Sequence, residues 1–177
     1  MVLPLCSESI LHLTSTMSII SDAIQAKCLA FSDRIIKLND YLLVQAVAAH
    51  EDYRKSKIQK KGKQISSFLH QTSDISVAAV PVYLQSVSNL CNQLLRAGTS
   101  IGANNAEAIG AISKADFKSK SYIALKEARE SLYWIDLLHR NGYLTDAQFN
   151  SIYADCEELV KVLTHRCKKL NEPGDGK

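Results

Sequence analysis

The chain has 177 residues, 46% hydrophobic and 22% charged, a length and balance that suit one domain with a substantial core. Only 7 Gly and 3 Pro argue against a strand-and-turn protein, and a net charge of +3 permits a nucleic-acid partner without requiring one. Five cysteines, odd in number and with no C-x-x-C pair, point to free thiols in a reducing cytoplasm and away from zinc, and no apolar run approaches the roughly 18 residues that span a membrane.

The N-terminus has no basic region and meets Glu8 at once, which argues against a secretory signal. Better helix-forming sequence follows Met17. Residues 1–20 are therefore read as a mobile arm, with Met1 and Met17 as alternative starts.

The first helix is expected from about Ser21 to Tyr53. Phe31, Ile35, Leu38 and Leu42 recur at the three-and-four spacing of one helical face. Arg54 to Lys63 then holds six basic residues and no acid, and Gln64 to Ser76 is rich in Ser, Thr and Gln. Residues 54–76 read as a partly helical surface insertion, because a structureless loop of that length is unusual in a compact domain.

A second helix is expected from Pro81, suited to a first turn, to about Ala111. Leu84, Val87, Leu90, Leu94, Ile101, Ala108 and Ile112 share its apolar face. Gly98, Gly102, Ala106 and Gly110 recur every fourth residue beside that face. A glycine inside a helix costs about 1 kcal/mol against alanine, so this stripe predicts close approach of a neighbouring helix.

Ser113 and Asp116 form a capping-box-like start to a third helix, whose apolar face is Phe117, Ala124, Leu125, Ala128, Leu132, Ile135 and Leu138. Gly142 is placed to close it. Thr145 and Gln148 then form a capping box, with Leu144 and Phe149 as a hydrophobic staple, for a fourth helix lined by Ile152, Cys156, Leu159, Val160 and Leu163. Pro173 and Gly174 end it. The short links before helices three and four predict an all-α, antiparallel up-down four-helix bundle over 21–171, followed by a tail at 172–177.

No catalytic constellation accompanies this architecture. Bundles that hold two metal ions use Glu-x-x-His on two helices, and that motif does not occur here, so neither a metal nor a cofactor is expected. Glu127 and Glu130 read as solvated or ion-paired charges. Gly98 to Gly102 lacks the Gly-Lys-Ser/Thr ending of a phosphate loop and lies within a helical pattern. Arg96, Ser100, Asn104 and Glu107 form a polar stripe read as opposite the apolar seam, a candidate subunit or partner interface. Arg54, Lys55, Lys57, Lys60, Lys61 and Lys63, with a second cluster at Lys161, Arg166, Lys168 and Lys169, are candidate contacts for nucleic-acid phosphates. Aromatic residues do not interleave the first cluster, so base stacking is not expected there.

Phe31–Leu38, Gln93–Ala108, Asp116–Phe117 and Ile123–Trp134 closely resemble the bacterial four helix bundle protein family. Its members, 23S rRNA-intervening sequence proteins, are encoded within large-subunit ribosomal RNA genes, and the accessory variability proteins of diversity-generating retroelements look like relatives. The resemblance implies a non-enzymatic bundle that assembles as a homopentamer. From the retroelement branch it implies nucleic-acid binding and a reverse transcriptase partner. Ala97 stands where that family usually has Ser. The connection from Val44 to Val80 exceeds the family norm, which places the basic stretch outside the shared motif. The function expected is an oligomeric, nucleic-acid-binding scaffold; the alternative is a protein-interaction adaptor with no nucleic-acid ligand.

Overall fold

The computed structural model describes residues 7–62 and 82–172, with side chains for 20–52, 55 and 84–172. All regular structure among them is helical: α1 (Ser7–Gly62), α2 (Val82–Ile109), α3 (Lys114–Arg140) and α4 (Asp146–Lys169). Residues 63–81, including Lys63 and Pro81, and the tail from Pro173 lie outside the described residues.

The four helices pack as a bundle. α2 lies between α1 and α3, α3 lies between α2 and α4, and α1 meets α4 over the smallest interface. Residue pairs across the interfaces run in opposite directions. On α1 and α2, Gln25 bonds to Asn105 and Ser32 bonds to Gly98. On α1 and α4, Lys27 pairs with Glu158 and Arg34 with Asp155. On α3 and α4, His139 meets Asp146 while the Cys156 thiol donates to the Ala128 carbonyl. Rising numbers on one helix meet falling numbers on the next, which is the register of antiparallel neighbours.

The predicted seams form the core, but Ile112, expected on the apolar face of α2, lies past the end of that helix and is 95% exposed. Phe31, Ile35 and Leu42 of α1 meet Val87, Leu94 and Ile101 of α2, Leu125, Ile135 and Leu138 of α3, and Ile152, Leu159 and Leu163 of α4. Cys28, Cys91, Cys156 and Cys167 are buried among them as free thiols. Burial pushes Cys28 and Cys91 up to about 11 and Cys156 to about 12. These thiols remain protonated at neutral pH and act as small hydrophobes.

Two helix ends follow the sequence signals closely. At the end of α3 the Gly142 N–H bonds to the His139 carbonyl at 2.9 Å and the Tyr143 N–H to Leu138 at 3.0 Å. That is a Schellman pair, and Gly142 takes φ +75° to make it. At the start of α4 the Thr145 hydroxyl accepts from Gln148 N–H, while Gln148 Oε1 accepts from Thr145 N–H. The start of α3 differs in one detail. Ser113 accepts from Asp116 N–H, but the Asp116 carboxylate accepts from Ile112 N–H, one residue earlier than in a capping box.

α1 departs from expectation at both ends. Helix begins at Ser7, ahead of the expected start at Ser21, and it continues through Arg54–Gly62. The sequence explains both extensions. Ile10, Leu13, Met17, Ile20 and Ile24 keep the three-and-four spacing, and the basic stretch is rich in Lys, Arg and Gln, all good helix formers. With 56 residues, α1 is about 84 Å long, far longer than the bundle it joins. Among its described side chains the core runs from Ile24 to Ala46, flanked by Ile20 and Val47, which are 54% and 50% exposed.

Candidate interaction surfaces and a buried polar cluster

The first basic stretch lies on α1 beyond its core-facing segment. Arg54, Lys57 and Lys61 fall at spacings of three and four, so helical backbone places them on one face. The described Lys55 is exposed and sits 3.8 Å from Asp52, a solvent pair of little energetic weight. The side chains of Arg54, Lys57, Lys60 and Lys61 lie outside the described residues.

The second basic cluster does not act as one surface. Lys168 and Lys169 are exposed, and Lys161 pairs with Glu157 at 2.8 Å along its own helix. Arg166 turns inward, because the residues at its level on α2 and α3 offer an acceptor and an aromatic ring. Its Nη1 donates to Asn105 Oδ1 at 2.6 Å, and its guanidinium lies 5.5 Å from the centroid of the Phe117 ring. Asn105 is fully buried and donates in turn to Gln25 Oε1 at 2.6 Å. All four helices thus contribute to one polar cluster at the end of the bundle formed by the close of α2 and the start of α3. Arg166 Nη2 and the Ser121 hydroxyl are both buried without a hydrogen-bond partner.

The spacing of Asn105 reveals its burial. It stands four residues after Ile101 and three before Ala108, on the apolar seam itself. A polar residue on that seam signals a satisfied internal network, and the partner that satisfies it, Arg166, lies on another helix.

The polar stripe of α2 is not opposite the seam; it borders α3. Glu107 forms an ion pair with Lys120, which raises the lysine pKa. Glu127 lies within the field of Arg96, although burial and Glu130 together hold its carboxyl above the usual range. Asn104 donates to the Ser100 carbonyl within α2 at 2.9 Å. The Glu130 carboxylate accepts from the Trp134 indole at 3.1 Å.

The small-residue stripe divides into two functional halves. A Cβ on Gly98 would stand 3.0 Å from Ile35 Cγ1, and one on Gly102 3.4 Å from Cys28 Cβ, so α1 approaches α2 closely at these positions. Ala106 is exposed, and Gly110 lies past the end of α2 with room around it. Helix packing therefore belongs to Gly98 and Gly102, not to Ala106 or Gly110.

Two further surfaces stand out. Leu29, Ile36, Val44 and Val47 of α1 are large, apolar and exposed, and Leu29, Ile36 and the half-buried Leu43 repeat every seven residues. A cleft of about 310 Å³ between α1 and the α3–α4 turn is lined by Tyr41, Gln45, Ala49, Tyr143, Thr145 and Gln148, and no charged side chain enters its wall. Among the described residues no three His, Cys, Asp or Glu side chains gather as a metal site, and no helix is long and apolar enough to cross a membrane.

A four-helix bundle with these seams matches the family model described as 23S rRNA-intervening sequence protein over residues 54–165. The chain belongs to that family. A crystal structure of a protein of unknown function from the S23 ribosomal protein family, from Bacteroides thetaiotaomicron VPI-5482, is 32% identical; the alignment covers 84% of this chain and 98% of that one, with a TM-score of 0.57. No curated protein matches the chain. The family match begins at residue 54, so it takes in the basic stretch that sequence reading assigns to an insertion, and it leaves out Phe31–Leu38.

Proposed function

We propose that this 23S rRNA-intervening sequence protein is a non-enzymatic, cytoplasmic scaffold that self-associates and binds the phosphate backbone of nucleic acid. The observation that carries the reading is the unbroken course of α1 through Arg54–Lys61. A basic helix extending past the core-facing segment can lay Arg54, Lys57 and Lys61 along a phosphate backbone without disturbing the bundle. Lys168 and Lys169, exposed near the end of α4, add charge. Self-association is supported by the exposed Leu29, Ile36, Val44 and Val47, an apolar face that another copy of the same chain can cover. A pentameric ring and a reverse transcriptase partner are the more specific forms of this reading, and they rest on the resemblance to the accessory variability proteins.

Binding of labelled RNA and DNA, measured by anisotropy between 50 and 200 mM salt, tests the proposal. Affinity is expected to fall steeply with salt, and Lys57→Glu with Lys61→Glu should weaken it and flatten the slope. No binding at the lowest salt, or wild-type binding in the double variant, would overturn it. Sedimentation of Leu29→Glu with Ile36→Glu tests the assembly face: the variant should sediment as a smaller species than wild type. An adaptor that holds a protein on this face without nucleic acid predicts partner recovery that resists nuclease.

A further inference from the structure

We infer that Arg166 anchors a binding site for a small oxyanion of the phosphate class at the end of the bundle where α2 closes and α3 begins. The inference is independent of the basic helix of α1. Arg166 carries a full positive charge, and among the described residues its partners are neutral: Asn105 Oδ1 on one nitrogen and the Phe117 ring beside the guanidinium. Its Nη2 is buried with no acceptor. The surroundings disfavour the charge, since burial lowers the Arg166 pKa and the opposing influences among the described residues are the thiols of Cys28 and Cys167. A guanidinium cannot discharge by losing its proton in the physiological range, so this arrangement calls for a negative partner.

The geometry also supplies the rest of a site. Asn105 is fixed by Gln25, so it holds Nη1 in place and leaves Nη2 as the unpaired arm of a fork suited to an oxyanion. Ser121, fully buried on α3 one turn after Phe117, also has a hydroxyl without a hydrogen-bond partner. Arg166 is only half-buried and lies in the last turn of α4, so the ligand need not cross the core. A buried guanidinium arm without an acceptor, a locked Asn105 and no acid against Arg166 among the described residues favour a tetrahedral oxyanion over a cation or an apolar ligand.

Thermal unfolding of the full chain in sodium phosphate against sodium chloride of equal ionic strength tests the site. Phosphate is expected to raise Tm saturably, following ligand linkage to the native state. Asn105→Asp places a carboxylate against Arg166 and should abolish that response while leaving the chain folded. Arg166→Lys keeps the charge but removes the fork and should also lose most of it. Lys168→Ala with Lys169→Ala should retain the full response. An RNA oligonucleotide at the same phosphate concentration separates a free anion from a phosphate held in a polymer: stabilisation by phosphate alone assigns the free anion. No phosphate-specific rise, an undiminished rise in Asn105→Asp, or a response to RNA without one to phosphate would overturn the inference.

Discussion

Arg166 of α4 donates to Asn105 of α2 across 2.6 Å, and this bond joins two helices that are not neighbours in sequence. It holds a charged group against a core otherwise built of Leu, Ile, Phe and Cys. Such a group is costly when its partner is removed, because the buried charge then has nothing to replace water. Asn105→Ala is therefore expected to destabilise the fold by about 3 kcal/mol or more. Adding Arg166→Met should recover part of that loss. Urea unfolding of the two single variants and the double variant gives the coupling; strictly additive losses would show that the bond carries no special weight.

Gly98 and Gly102 should respond differently to the same substitution. Gly98→Ala drives a methyl to 3.0 Å from Ile35, which is fully buried, so overpacking of about 1–3 kcal/mol outweighs the gain of about 1 kcal/mol in helix propensity. Gly102→Ala meets only an ordinary contact at 3.4 Å and is expected to be neutral or mildly stabilising. Gly102→Leu exceeds the space and should destabilise. Melting temperatures of the three variants check the order.

The turn between α3 and α4 should be a sensitive point despite its exposure. Thr145→Ala removes the oxygen that receives Gln148 N–H, at a cost of about 1 kcal/mol. Gly142→Ala must hold φ +75° with a side chain, at a cost of about 1–2 kcal/mol. Chemical denaturation reads both losses. An unchanged midpoint for Gly142→Ala would show that the turn relaxes to another conformation.

Alkaline pH should unfold the protein earlier than its lysines and tyrosines alone would. Cys28 and Cys91 are pushed up to about 11 and Cys156 to about 12, against 9.0 for the free thiol. Between these values the unfolded chain loses protons that the native chain keeps, so stability falls as pH rises above about 9, by up to about 1.4 kcal/mol per pH unit for one such group. Denaturation midpoints from pH 8 to 11 for wild type and Cys156→Ala should converge as pH rises. Parallel curves would contradict the linkage.

The helix seams and caps were legible because they are local. Thr145 caps α4 through Gln148 only three residues on, and Gly142 closes α3 through carbonyls of the same helix. The ends of α1 were not legible. No Gly or Pro separates Ser21 from Gly62, and charge alone does not terminate a helix, so α1 runs past its expected end at Tyr53 into the stretch read as a partly helical insertion. The polar stripe of α2 was placed opposite the apolar seam, but it borders α3, because helical spacing cannot tell which neighbour meets a face.

By itself the sequence determined the all-α class, the apolar face of each helix, the close-packing role of Gly98 and Gly102, and the motifs that mark the family. These depend on the 3.6-residue period and on contacts within a few residues. Only the tertiary structure decided that Arg166 belongs to the interior. Its place on α4 is that of a surface cation near two exposed lysines, and it becomes a buried charge because Asn105, 61 residues earlier, and the Phe117 ring are brought to the same level of the bundle. Sequence spacing cannot measure that distance; the packing of α4 against α1 and α3 sets it.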